Sequence, residues 1–217
     1  MVVSGGPEAV AAVYLAAGSS RRMGTAKQAL PMPGDGGLRL GAVALREALA
    51  LRAELPHVIV VVRAADPLDW LPAEAQAEVA AGRCRLVVCP DAERGMAHSL
   101  RAGVAAAAEL GAVGALVMLA DQPFVSRALL RRLVEAFGEG VDFAASGDSG
   151  VPKPPLVLGR AMWPAVAELA GDEGARSLLR RPGYSGRVLN VADPLTFMDV
   201  DTPELYEAAV GIFGGMQ

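Results

Sequence analysis

The chain has 217 residues, a formal net charge of −4 and 53% hydrophobic residues. Folding at that length buries roughly 70% of the unfolded chain's surface, so no disulfide or metal staple is required, and the apolar content excludes a disordered chain. No apolar run approaches the ~20 residues of a membrane span, the opening MVVSGGPEAV lacks the flank and cleavage pattern of a signal peptide, and an acidic chain with no basic run is a poor partner for nucleic acid. The expectation is a cytoplasmic globular protein with neither membrane nor nucleic acid as partner.

Short β-branched runs alternate with stretches rich in Ala, Leu, Arg and Glu, the pattern of βαβ units in an α/β protein with a largely parallel sheet. In chain order the sequence predicts a strand at Ala11–Leu15, a helix at Leu38–Arg52, a strand at His57–Val62 and a helix at Pro67–Ala80. A strand at Arg85–Val88, a helix at Met96–Glu109, a strand at Ala115–Leu119, a helix at Ser126–Phe137 and a strand at Val141–Ala145 follow. The last part reads as a strand at Leu156–Leu158, helices at Met162–Glu168 and Ala175–Arg180, a strand at Val188–Val191 and a helix at Pro203–Val210. Ser126 and Thr202 are expected N-caps, the second with Pro203 at the first helical position. The segment Gly147–Pro155 (GDSGVPKPP) is expected to be a long surface loop. With no repeat, low-complexity tract or linker, residues 1–217 are expected to form one domain. Cys84 and Cys89 flank a strand five apart and should face opposite sides as buried small hydrophobes.

Open parallel sheets bind ligands outside the carboxyl ends of their strands, which points to the loops after Leu15, Val88 and Leu119. The first is LAAGSSRRMGTAK, with Gly18, Ser19, Ser20, Arg21, Arg22, Gly24 and Lys27, and no acidic residue lies between Ala9 and Gly34. Glycines let the backbone approach a ligand and turn N–H groups inward, while the arginines and lysine add charge-assisted donors, so the loop reads as a polyphosphate cradle. Its spacing is neither a Walker A loop nor a dinucleotide G-x-G-x-x-G. Only two of the twenty basic residues are lysines, Lys27 and Lys153, and both stand in Gly/Pro-rich segments, which hints at positions that need a compact ammonium. Asp121 ends the apolar run ALVMLA, where a carboxylate calls for a divalent cation, or caps the next turn. Asp199 and Asp201 are two apart and share a face if the segment is extended.

LAAGSSRRMGTAK, GMAHSLRAGV, LADQPFVS, GDEGARSLL and DVDTPELY occur in that order, and together resemble the nucleotidyltransferases with a MobA-like NTP transferase domain, most of all the molybdenum cofactor cytidylyltransferase branch. The resemblance implies a three-layer, Rossmann-like nucleotide-diphospho-sugar transferase fold. It implies a reaction in which an acceptor phosphate attacks the α-phosphate of a nucleoside triphosphate in line and releases pyrophosphate, chemistry that needs positioning and charge neutralisation more than a covalent residue. Carried onto this sequence, Arg21, Lys27 and Asp121 become the catalytic residues, and Mg²⁺ falls to Asp121 with Asp201, or with Asp199 as second choice. Leu15, Ala16, Ala17, Gly18, Ser19, Ser20, Met23 and Gly24 hold the nucleotide, and Met96 and Ser99 hold the nucleoside, unless Met96 is simply packed in the core. L-A-A-G in place of the guanylyl relatives' L-A-G-G sets the methyl of Ala17 beside the base and leans toward CTP, although uridylyltransferases share L-A-A-G. The implied partners are a nucleoside triphosphate, a phosphorylated acceptor such as molybdopterin, and a client molybdoenzyme.

One segment departs from that branch. Where it usually has R-G-H-P-V this chain has GVPKPPLVL, so the acceptor is open and Lys153 is either a contact for an acceptor phosphate or a solvated side chain. Arg176 is likewise an acceptor contact or a surface residue of a helix capped by Asp172. The competing readings are a nucleotidyltransferase of the same fold with a sugar-phosphate or methylerythritol-phosphate acceptor, and a cofactor-maturation or redox accessory protein. The string GDSG at Gly147–Gly150 spells a serine-protease motif without its context, and His57 and His98 have no metal-ligand spacing.

Overall fold

The computed structural model describes residues 9–18, 23–34, 37–138 and 140–215. Seven strands, β1 (Val10–Leu15), β2 (His57–Arg63), β3 (Cys84–Cys89), β4 (Gly114–Leu119), β5 (Phe143–Asp148), β6 (Val151–Gly159) and β7 (Gly186–Asn190), form one sheet in the order β3-β2-β1-β4-β6-β5-β7. Only β6 runs against its neighbours β4 and β5; every other pairing is parallel. The helices are α1 (Leu40–Leu49), α2 (Ala73–Ala80), α3 (Met96–Glu109), α4 (Arg127–Ala136), α5 (Trp163–Ala167), α6 (Ala175–Leu178) and α7 (Pro203–Gly215).

β1 is buried along its whole length, and alternation sends its residues to two cores. Ala12 and Tyr14 pack with Leu45 of α1, Ala75 of α2 and Leu129 and Leu133 of α4. Ala11 and Val13 pack with Leu100 and Val104 of α3, Val166 of α5 and Leu178 of α6. Helices on both faces of a mostly parallel sheet give the three layers expected, and each buried Leu or Val contributes about 1.5–3 kcal/mol. Cys84 and Cys89 fall into opposite cores, both as free thiols, and burial pushes the Cys84 thiol up to about 11. A third, smaller cluster of Met32, Leu40, Val43, Val200 and Ala209 seats α7 against α1, with the rings of Phe124 and Phe213 6.4 Å apart at its edge. Among the described residues no helix is long and apolar enough to cross a membrane.

Both predicted N-caps form: Leu129 N donates to Ser126 Oγ at 3.3 Å, and Leu205 N to Thr202 Oγ1 at 3.3 Å. Two expectations are corrected. The segment Gly147–Pro155 is not a loop but the tip of the β5–β6 hairpin, turned through Ser149 and Gly150 at φ +50° and +79°, the left-handed pair that two-residue hairpin turns require. Its prolines are tolerated because β6 pairs with β4 only from Leu156 to Gly159; the half containing Pro152, Pro154 and Pro155 is paired on one side and slips register between Ala145 and Ser146. The predicted helix Pro67–Ala80 begins only at Ala73, because Pro72 keeps Leu71 out of the helical region. Asp66 organises the preceding residues instead, accepting from Leu68 N at 2.9 Å and Trp70 Nε1 at 3.0 Å.

Candidate active site

The carboxyl ends of β1 and β4 are neighbours in the sheet, so the loops that leave them open onto one cavity of about 400 Å³, a volume typical of small-ligand sites. Leu15, Ala17 and Gly18 line it from β1, Leu119, Ala120 and Asp121 from β4, and Met96 and Ser99 from α3. Ala120 N donates to Leu15 O at 3.1 Å, and Ala16 N to Val61 O at 2.9 Å, which holds the first loop in strand geometry up to Ala16. A Cβ at Gly18 would meet nothing within 4 Å; the backbone there faces open space.

Lys27 begins a 3₁₀ turn, Lys27–Ala29, and lines the cavity. It is 6% exposed. Its Nζ donates to Asp121 Oδ2 at 2.7 Å and to Asp201 Oδ1 at 2.6 Å, bonds that span 94 and 174 residues of sequence. Burial works to lower the Lys27 pKa, but the Asp121 and Asp201 carboxylates outweigh it and hold the ammonium above its ordinary range. Asp121 Oδ1 is buried and has no hydrogen-bond partner among the described residues. Asp201 reaches the site because Val200 N donates to Asp121 O at 2.9 Å, fastening the segment before α7 to the end of β4.

Asp199 is not brought to the ammonium. Its Oδ1 accepts from the buried Gln122 Nε2 at 2.9 Å, and desolvation, with help from the Asp121 charge, raises its pKa. Among the described residues no three His, Cys, Asp or Glu side chains form a metal cluster. Ser19, Ser20 and Arg21 lie outside the described residues. Met23 is half-buried and Gly24 takes φ +66°, a left-handed turn position, and neither lines the cavity. Met96 is 40% exposed rather than packed in the core, while Ser99 is buried with its residue on the cavity wall.

The base of α3 is closed by a second loop. Gly95 has φ +123°, and a Cβ on it would lie 2.2 Å from Gly171 C and O. Only glycine allows that approach, and it lets Ala97 N donate to Gly171 O at 3.0 Å. The same loop delivers Asp172 to the cavity, so Asp172 is a wall residue and Gly174 takes the N-cap position of α6. Arg176 is exposed and outside the cavity lining. Lys153 is also outside it: Nζ donates to Asp148 Oδ2 at 3.1 Å and stands 4.8 Å from the ring centroid of Phe197.

Sequence reasoning passed over Gln28, which is 4% exposed and lines the cavity beside Lys27. Its Nε2 donates to Ala16 O at 3.0 Å, fixing the 3₁₀ turn to the first loop. An amide directly after a lysine carries no pattern that separates it from a surface residue. Arg94 and Glu93 were passed over for the same reason; both line the cavity before Gly95.

Residues 12–188 match the MobA-like NTP transferase domain. The purine catabolism protein PucB of Bacillus subtilis (strain 168) is 42% identical over 197 residues, 90% of this chain and 93% of its own. The nicotine blue oxidoreductase of Paenarthrobacter nicotinovorans is 33% identical over 205 residues, again 90% and 93%. Among solved structures, Rv0371c from Mycobacterium tuberculosis H37Rv superposes with a TM-score of 0.74 at 31% identity, covering 94% of this chain and 97% of that one. Its complex with manganese superposes with a TM-score of 0.68 at 26% identity, covering 94% and 98%. The mostly parallel seven-stranded sheet with helices on both faces has the nucleotide-diphospho-sugar transferase fold, and the chain belongs to the MobA-like NTP transferase family of nucleotidyltransferases.

Proposed function

We propose that the protein is a Mg²⁺-dependent nucleotidyltransferase that moves CMP from CTP to the terminal phosphate of molybdopterin and releases pyrophosphate. The observation that carries this reading is the convergence of Asp121 and Asp201 on Lys27 inside a cavity that Ala17 and Gly18 also line. A protein that only bound nucleotide needs the cation and the loop amides. The paired carboxylates are surplus to binding an anion and repel it, so their presence favours catalysis with a metal.

The residues fit such an ion. Asp121 Oδ1 is a buried carboxylate oxygen with no donor among the described residues, a costly arrangement that a hard divalent cation with oxygen ligands resolves. Asp121 and Asp201 would hold it, and the manganese complex of the 26%-identical mycobacterial relative supports a divalent ion in this family. Bound Mg²⁺ supplies charge neutralisation on the phosphate oxygens. In this reading Lys27 and Arg21 hold the β- and γ-phosphates with charge-assisted bonds and Leu15 to Ser20 supply the nucleotide contacts, whereas Met23 and Gly24, which do not line the cavity, are left out of them. Ala17, 4% exposed on the cavity wall, takes space beside the base and favours the smaller pyrimidine. Met96 and Ser99 face the nucleoside from the start of α3.

Incubation with Mg²⁺, molybdopterin and each nucleoside triphosphate, with pyrophosphate as the readout, tests the reading. Release with CTP and molybdopterin together supports it; release with another nucleotide or only with a sugar phosphate moves the chain to a sister activity. A second reading has an observation of its own. The relatives at 42% and 33% identity are named for purine catabolism and for an oxidoreductase, which favours a protein that matures or serves the cofactor of a redox enzyme. That reading expects no pyrophosphate from any pairing.

A further inference from the structure

The two carboxylates assigned to the metal already have a cation between them. Lys27 Nζ stands 2.7 Å from Asp121 Oδ2 and 2.6 Å from Asp201 Oδ1, and at 6% exposure it does not share those contacts freely with solvent. An ion held by the carboxylates of Asp121 and Asp201, each of which has an oxygen bonded to Lys27 Nζ, would stand only a few ångströms from that ammonium. A divalent ion and an ammonium that close, in a part-buried site, repel strongly. The Asp121–Asp201 pair can take a divalent ion more readily if the ammonium is given something else to hold.

The site contains the means. Lys27 lines the same cavity as Ala17 and Gly18, and a lysine side chain is a flexible stem carrying a point charge that can be redirected without moving the backbone. Gln28 Nε2 donates to Ala16 O at 3.0 Å and pins the turn, so redirecting the neighbouring side chain need not move it.

We infer that Lys27 is the resident cation of the Asp121–Asp201 pair and yields it to the divalent metal only when a triphosphate takes the ammonium. The inference rests on the metal reading above and adds an order to it: metal and triphosphate bind as a set, each raising the affinity for the other, as reciprocal linkage requires. The free protein then keeps a closed, metal-poor site, and the exchange of Lys27 from carboxylate to phosphate is part of substrate binding. It also accounts for a lysine here in a chain that otherwise uses arginine almost throughout, since a planar guanidinium bidentate to a carboxylate is harder to release.

The test measures Mn²⁺ binding by the loss of the free-ion electron paramagnetic resonance signal, for wild type and Lys27→Met, with and without CTP. Wild type is expected to bind Mn²⁺ at least tenfold more tightly with CTP than without. Lys27→Met is expected to bind Mn²⁺ at least tenfold more tightly than wild type in the absence of nucleotide, and to lose most of the CTP effect. Equal nucleotide-free affinity in the two proteins overturns the exchange while leaving the metal site standing. No Mn²⁺ binding by either protein under any condition removes the metal site itself, and the exchange with it. Should Lys27→Met not fold, the wild type alone decides. With only Lys27 and Lys153 in the chain, ¹⁵N-lysine labelling gives two side-chain signals, and Lys153→Arg assigns them. The Lys27 signal should stay in place with Mg²⁺ alone and move with Mg²⁺ and CTP; an equal shift with Mg²⁺ alone overturns the proposal.

Discussion

Val200 N and Asp121 O are joined at 2.9 Å, and this one backbone bond decides which of two nearby carboxylates enters the site. It turns the side chain of Val200, fully buried, into the cluster under α7. The residues on either side take different partners: Asp201 accepts from Lys27 and Asp199 from Gln122, although the Asp121, Asp201 and Lys27 charges all act on Asp199. A two-residue spacing in an extended segment puts both on one side, and what distinguishes the two here is the partner each bonds.

Asp121→Asn is expected to keep the fold and abolish turnover. Asparagine preserves the size of the side chain and its bond from Lys27, and Asp201 still balances the ammonium. The lost charge is the one nearest the orphaned oxygen, so pyrophosphate release should fall by about 100-fold or more, with an unchanged circular dichroism spectrum. Turnover within about threefold of wild type would remove Asp121 from the chemistry, a far smaller effect than loss of a charged catalytic group gives.

Gly95→Ala is expected to damage the site from outside the carboxylates. The added Cβ meets backbone atoms of Gly171 at 2.2 Å, and φ +123° is a conformation that alanine avoids. Strain of this kind costs about 1–3 kcal/mol, which lowers the unfolding midpoint by several degrees. The loop carrying Asp172 must also move away from α3, so nucleotide affinity should drop with stability. Calorimetry with CTP separates the two effects; affinity unchanged at lower stability would show that the loop does not shape the nucleotide site.

The sheet and the placement of the cavity were legible in the sequence because β-branched runs and glycine-rich exits are local signals. Lys27, Asp121 and Asp201 were legible as motif residues, but their meeting was not: the contacts cross 94 and 174 residues, and no spacing rule links such distances. The β5–β6 hairpin was misread because Pro152, Pro154 and Pro155 look like breakers; only the topology shows that their half of β6 lacks a β4 neighbour. Gln28 gave no signal, since an amide in a loop is ordinary until a backbone carbonyl is found beside it, and Asp172 was read as a helix cap because a loop carboxylate does not show that it stands on a cavity wall.

Acid should expose a second structural device. Glu78, 5% exposed, accepts from Arg83 Nε at 2.7 Å and also pairs with Arg52, while Arg83 Nη1 donates to Leu55 O at 2.8 Å and Nη2 donates to Leu49 O. The group ties α2 to the end of α1. The bond from Arg83 holds the Glu78 carboxyl below its ordinary value of 4.5. A depressed folded-state pKa contributes stability above the unfolded value, which is lost as pH falls through the folded one. Glu78→Gln should therefore unfold at a lower temperature than wild type at pH 7, and the gap should close as pH drops below about 4.5 and through the depressed folded pKa. A gap that persists undiminished at pH 3 would assign the loss to shape rather than charge.

Nucleotide choice is decided by stability in the presence of ligand. A ligand that binds only the folded state at about 100 times its Kd adds about 2.7 kcal/mol, and for a chain of this length that raises the midpoint by roughly 5–11 °C. Thermal unfolding with Mg²⁺ and each of CTP, GTP, UTP and ATP is expected, on the proposed function, to show the full shift with CTP, Ala17 being buried on the cavity wall. Mg²⁺ alone is expected to shift wild type little, since Lys27 holds both carboxylates until a triphosphate arrives. A full shift with GTP or UTP would replace the base assignment and keep the triphosphate site. If all four nucleotides leave the midpoint where it was, the cavity does not hold a triphosphate, and the accessory reading that the names of the two relatives favour takes its place.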